Sequence, residues 1–203
     1  MKLTSEYFES TELTILQPAN GHRYGEESLA LAEFVQLPPG GRVAELGAGC
    51  GLISLMIAAR QGASLVAAVE IQEPLHQIAQ RNILENRFSG IVHCINDDFR
   101  NFAKASEGAF DCVVANPPFY RADEGRLSPD PVRAAARHEL NGTIEDLATA
   151  AHGLLKPGGS FFVVFDVRRK EGLVNAAAKA GFEFMRDDLR RDSAYLLAEF
   201  RKV

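Results

Sequence analysis

Arg42-Val43-Ala44-Glu45-Leu46-Gly47-Ala48-Gly49-Cys50-Gly51-Leu52 reads as a short apolar strand that passes through a glycine turn straight into a helix over 52–60. Glycines at 47, 49 and 51 permit a tight turn and let the backbone approach a ligand closely, which side chains there would prevent. Outward from this unit, apolar segments alternate with amphipathic ones in the rhythm of a mostly parallel sheet. Strands are expected at 42–46, 65–69, 91–95, 110–115 and 161–167, each short and apolar enough to be covered on both faces. Residues 73–86 set Leu75, Ile78, Ala79, Ile83 and Leu84 on one helical face, with Pro74 in the first turn. Helices also follow at 143–155, with Thr143 and Asp146 spaced as an approximate capping box, and at 171–180. Lys156-Pro157-Gly158-Gly159 reads as the stop after the first of these, and 182–185 with 195–200 as a closing hairpin. The pattern predicts an α/β fold: a seven-stranded, mostly parallel sheet with a terminal antiparallel hairpin and helices on both faces.

Length and charge bound what such a fold is for. The 203 residues suffice for one sizeable core and are too few for two comfortable domains. A single domain over 1–203 is expected, with 1–40 as an N-terminal segment and covering helix and 41–203 as the α/β core. Lys and Arg number 22 against 27 Asp and Glu, a net charge of −5, so any nucleic-acid contact must come from a local basic face. Cys50, Cys94 and Cys112 are odd in number, far apart and without metal-ligand spacing, which points to a reducing compartment and no metal site. The start, Met1-Lys2-Leu3-Thr4-Ser5-Glu6, turns acidic, and no run approaches the ~18 apolar residues of a membrane span. A cytoplasmic monomer is expected.

The chemistry is concentrated in Asn116-Pro117-Pro118-Phe119, at the carboxyl end of the 110–115 strand, where open α/β sheets bind their ligands. Two prolines stiffen that loop and remove two donors, leaving carbonyl oxygens and the Asn116 amide facing whatever lies above the strand. An isolated Asn-Pro is more often a turn residue. The second signature upstream reverses those odds. The Asn116 side-chain oxygen and the Pro117 carbonyl can each accept one hydrogen of a planar NH2 group, and Phe119 can stack on the flat system that carries it. Leu52 stands where a dinucleotide fingerprint needs glycine, which disfavours nicotinamide binding.

The glycine turn instead resembles the Gly-x-Gly-x-Gly of class I S-adenosylmethionine-dependent methyltransferases, which implies their Rossmann-like fold. In that family the turn faces the amino-acid part of the cofactor, and Glu45 would suit its positive charge. Glu70, about 20 residues beyond the glycines, can accept hydrogen bonds from ribose hydroxyls. Ile71 would lie on the adenine face. Asp97-Asp98-Phe99 offers a carboxylate for the adenine amine, with Asp98 preferred to Asp97, and Phe99 as the apolar neighbour. Each acid alone is more often solvated or a helix cap; three in register across three strand ends argue for a shared ligand.

Within the class the chain is similar to bacterial tRNA adenine-N6 methyltransferases that modify the anticodon loop of a valine tRNA. The likeness takes in Gln17-Pro18, Gly21-His22-Arg23-Tyr24, Ser28-Leu29-Ala30-Leu31-Ala32 and Ala136-Arg137-His138-Glu139. Glu27 and His22-Arg23-Tyr24 depart from the family's usual aspartate and Tyr-Arg-Phe. The resemblance implies methyl transfer to the N6 amine of an adenine in RNA. Phosphate contacts are sought at Arg121, Arg126, Arg133 and Arg137 in the long 120–140 segment, and second at Arg168, Arg169, Lys170, Arg190 and Arg191. A glutamine side-chain amide in a translation factor presents the same planar NH2. Its methyltransferases carry a helical substrate domain ahead of the fold, for which the roughly 40 residues before the first core strand are too few. DNA adenine is a variant of the first reaction.

Overall fold

The computed structural model describes residues 2–20, 23–118, 128, 134, 141–189 and 193–203. The chain opens with a two-stranded hairpin, β1 (Leu3–Phe8) and β2 (Leu13–Pro18), followed by α1 (Glu26–Phe34). There follow β3 (Arg42–Leu46), α2 (Leu52–Gln61), β4 (Leu65–Val69), α3 (Glu73–Glu85), β5 (Val92–Ile95), α4 (Phe99–Ala105) and β6 (Phe110–Ala115). The chain closes with α5 (Ile144–Leu154), β7 (Leu155–Asp166), α6 (Lys170–Ala180), β8 (Phe182–Asp188) and β9 (Tyr195–Lys202).

Seven strands form one sheet in the order β5-β4-β3-β6-β7-β9-β8. The first five in that row pair parallel, while β9 runs antiparallel to both β7 and β8. This is the expected seven-stranded sheet with its closing hairpin. Successive residues of a strand point to opposite faces, and the buried residues sort accordingly. Val43, Val66, Cys112, Val114, Phe162 and Val164 pack with α1, α2 and α3. Ala44, Ala67, Val113, Ala115, Phe161 and Val163 pack with α4, α5 and α6. Helices therefore cover both faces, and the central strands are mostly apolar because neither face meets water, with Glu45 a buried acid within β3.

Thr143 caps α5 as expected: its Oγ1 accepts from the Asp146 amide at 3.2 Å, and its own amide donates to Asp146 Oδ2 at 3.0 Å. Lys156-Pro157-Gly158-Gly159, expected as the stop after the helix, lies within the next strand: the helix ends at Leu154 and the strand starts at Leu155 rather than 161. Leu155 pairs with Phe110 and Ser160 with Cys112, so the four residues between them bulge out of the ladder, with Gly158 at φ +75°.

The β1–β2 hairpin and α4 have no counterpart in the sequence reading. The hairpin lies outside the main sheet and is held by side chains of α3. Asn82 accepts from the Leu16 amide at 2.8 Å and donates to the Leu16 carbonyl at 2.9 Å. Asn86 does the same for Thr14, both at 2.8 Å. Four residues of helix rise about 6 Å and two of strand about 6.6 Å, so asparagines at i and i+4 meet alternate residues of β2 and stand in for a neighbouring strand. No helix among the described residues is long and apolar enough to cross a membrane.

Candidate active site

The strand order reverses between β3 and β6, and ligands of open α/β sheets bind beyond the carboxyl ends of the strands at that point. Leu46 pairs with Val69 on one side and Ala115 on the other, so the glycine turn, Glu70 and Asn116 emerge side by side on one rim. The Gly47 and Ala48 amides donate to the Val69 carbonyl at 2.9 and 3.0 Å, which anchors the turn to the end of β4. Gly47 and Gly49 have φ of +78° and +56°, and a Cβ on either would project into open space. That space is the ligand cleft. A Cβ on Gly51 would come within 3.3 Å of the Ala79 Cβ, so this glycine serves the close approach of α3.

The cleft is walled by Gly47, Gly49, Glu70, Ile71, Asp97, Phe99, Asn116, Pro117 and Pro118, and by Asn141, Gly142 and Thr143 with Ile144 and Leu147 of α5. A second recess adjoins it, lined by Tyr24, Ser28, Glu45, Gly47, Gly49, Cys50 and Asn116. Asn116 borders both.

Glu70 is buried, and its two oxygens accept from the Gly49 and Gln72 amides at 2.8 Å each. Burial raises its pKa above the ordinary carboxylate value. Glu45 is 1 % exposed; one of its oxygens accepts from the Ser54 amide at 2.8 Å and from the Ser54 hydroxyl. Burial pushes it up to about 8. Among the described residues no cation pairs with either acid. Two buried carboxyls without a counter-charge favour a positively charged ligand, and glycines with space where a side chain would stand give it room. These features fit S-adenosylmethionine, which carries a sulfonium and an amine.

The two strand-end acids after β5 are placed differently from one another. Asp98, the residue preferred from sequence, caps α4 by accepting from the Arg100 amide at 2.9 Å and pairs with the Arg100 guanidinium at 2.5 Å. Arg100 holds its pKa below the usual carboxylate value. Asp97 and Phe99 line the cleft, and Asp98 does not. The cap geometry turns Asp98 toward its own helix and leaves the cleft to its neighbour. Ile71 lies on the cleft wall, 41 % exposed.

Pro117 and Pro118 face the cleft, and the Asn116 Nδ2 donates to Ser28 Oγ at 2.9 Å. Phe119, Arg121, Arg126, Arg133 and Arg137 lie outside the described residues, as do Arg190 and Arg191. Of the second basic cluster, Arg168 pairs with Asp166, Lys170 pairs with Asp187, and Arg169 lies 4.8 Å over the Phe165 ring. Two residues lining the recess, Ser28 and Tyr24, come from the N-terminal segments that carry the family likeness and were not named among the candidate site residues. Ser28 is a polar side chain on the buried face of α1, a legible signal. Tyr24 is tied by its hydroxyl to Glu6 of β1 at 2.8 Å, a contact visible only in three dimensions. Cys50 is buried, and its thiol is pushed up to about 12 by that burial, which removes it from nucleophilic chemistry.

Residues 23–176 match the family described as Methyltransferase small domain. A tRNA1(Val) (adenine(37)-N6)-methyltransferase of Dyadobacter fermentans is 29 % identical over 180 residues, covering 89 % of this chain and 73 % of that one. One of the same name from Serratia proteamaculans is 32 % identical over 143 residues, 70 % of this chain and 54 % of that one. Among solved structures, TYW2 of P. horikoshii in complex with MeSAdo superposes with a TM-score of 0.70 at 17 % identity, over 98 % of this chain and 70 % of that one. At that identity the likeness is one of fold. A family match that spans the glycine turn and the Asn116 loop alike, on a sheet of this strand order, supplies the identification: the chain belongs to the Methyltransferase small domain family and is a class I S-adenosylmethionine-dependent methyltransferase.

Proposed function

We propose that this enzyme methylates the exocyclic N6 amine of an adenine in RNA, in the anticodon loop of a tRNA. The observation that carries this reading is the seat of Asn116: it borders both the cleft and the recess, beside the glycine turn, with Pro117 and Pro118 next to it on the wall. The names of the relatives supply the substrate class.

S-adenosylmethionine, when bound, supplies a methyl group on a positively charged sulfonium, whose C–S bond breaks as the N–C bond forms and which leaves as a neutral thioether. Glu70 and Asp97 accept hydrogen bonds from the cofactor's hydroxyls and adenine amine, while Ile71 and Phe99 pack on its ring. Glu45 faces the recess that takes its cationic end. The target adenine leaves its stack and enters beside Asn116, where Phe119 stacks on it. Asn116 Oδ1 and the Pro117 carbonyl accept the two N–H groups, which aims the nitrogen lone pair along the line of transfer. As the nitrogen becomes tetrahedral and positive, those acceptors bind it more tightly than the flat amine, so they lower the barrier. The surplus proton is acidic and passes to water, and no general base is needed. Arg121, Arg126, Arg133 and Arg137 contact phosphates of the RNA.

The test is incubation with radiolabelled S-adenosylmethionine and, separately, unmodified tRNA, ribosomal RNA, DNA and release factor. Label recovered from tRNA as N6-methyladenosine is the expected result. Label in the protein arm instead would make the acceptor a glutamine amide, and label only in DNA would move the substrate to the other nucleic acid.

A further inference from the structure

The Asn116 side chain has a partner for which the transfer chemistry alone gives no reason. Its Nδ2 donates to Ser28 Oγ at 2.9 Å, linking β6 to α1 across 88 residues of sequence. Ser28 is 3 % exposed, on the face of α1 that also buries Leu31 and Ala32. A hydroxyl left there without a hydrogen bond would carry a desolvation cost, so the contact is built into the packing. Its position is also rigid: Ser28 sits in the first turn of α1, with its amide bonded to the Gly25 carbonyl at 3.2 Å. The two residues line the same recess.

A carboxamide has two orientations of nearly the same shape, related by exchange of oxygen and nitrogen. With Nδ2 on Ser28, Oδ1 is the end left over, and among the described residues no donor engages it. In the exchanged orientation the Ser28 hydroxyl would have to turn and donate to Oδ1, and Nδ2 would meet the incoming amine donor to donor. We infer that Ser28 is a positioning residue that holds the Asn116 carboxamide with its oxygen toward the substrate amine, so that the acceptor is set before the substrate arrives. The inference rests on the reading of Asn116 as the amine's acceptor. It adds a residue from the N-terminal part of the chain that acts on the transfer through Asn116.

The test compares Ser28→Ala and Ser28→Thr with the wild-type enzyme, using S-adenosylmethionine and unmodified tRNA. It reads kcat, the cofactor Kd by calorimetry, and the side-chain amide resonances of Asn116 in 15N-labelled protein, identified by their loss in Asn116→Ala. Ser28→Ala is expected to lower kcat by about 10- to 100-fold with the cofactor Kd unchanged, and to move the Asn116 amide resonances. Ser28→Thr, which keeps the hydroxyl, is expected to restore both. An unchanged kcat, amide resonances that stay at their wild-type positions, or a loss of cofactor affinity that matches the loss of kcat would each overturn the inference; the last would make Ser28 a packing residue. If the wild-type enzyme labels no RNA, the proposed function fails, while the amide resonances still decide whether Ser28 holds Asn116.

Discussion

At the scale of single residues, the site separates groups by what their surroundings leave them free to do. Asp97 and Asp98 are chemically identical neighbours, yet one faces the cleft and the other spends its oxygens on Arg100 and a helix terminus. No reading of two adjacent aspartates decides between them, because the choice depends on where the α4 axis points. Asn116 differs: its residue type, its prolines and its strand-end address were all legible. Replacing it with alanine removes an acceptor that gains strength only as positive charge develops, so Asn116→Ala is expected to lower kcat by about 10²–10³-fold with cofactor binding kept. Steady-state kinetics beside a cofactor titration checks this, and an unaltered turnover would remove the acceptor role.

At the scale of elements, the β1–β2 hairpin is coupled to the cofactor turn through one buried side chain. Asn82 is fully buried; besides its two bonds to Leu16, it donates to the Cys50 carbonyl at 2.8 Å, inside the glycine turn. Leucine at this position would leave an amide and two carbonyls without partners, at about 1–3 kcal/mol for each group that stays buried. Asn82→Leu is therefore expected to destabilise the fold by roughly 3 kcal/mol or more in urea melts and to weaken cofactor affinity. Melts that match the wild type would show that water replaces the ladder at no cost. The hairpin escaped the sequence reading for the same reason it needs Asn82: β1 is largely exposed, β2 pairs only with β1, and its other edge is satisfied by side chains 66 and 72 residues away. Helix α5 was legible because its cap is local, Thr143 and Asp146 being three residues apart.

At the scale of the whole molecule, the buried acids set how stability varies with pH. In an unfolded chain a glutamate ionises near ~4.3. Folded Glu45 keeps its proton up to about 8, and the Glu70 carboxyl is raised as well. Between those limits the folded state binds more protons than the unfolded one, so the ligand-free protein loses stability as pH rises through that window. Asp98, Asp111 and Asp166 are lowered, and their contribution disappears only in more acidic solution. Glu45→Gln is expected to flatten the decline between pH 5 and 8 in thermal melts; a slope equal to that of the wild type would rule out Glu45 as its source. The net charge of −5 makes RNA binding dependent on a local basic face. Replacing Arg121, Arg126 and Arg133 together is expected to raise the RNA KM and reduce the slope of its salt dependence by about 0.7–0.9 for each phosphate no longer neutralised. An unchanged slope would move the RNA surface elsewhere. What the sequence determined by itself was the strand–helix alternation, the glycine turn and the proline-stiffened loop at the end of β6, because periodicity, backbone freedom and proline stiffness act over a few neighbouring residues. Which aspartate lines the cleft, how the hairpin is fastened and what the Asn116 amide bonds to were decided only by the tertiary structure, since each depends on groups brought together by helix packing and strand order.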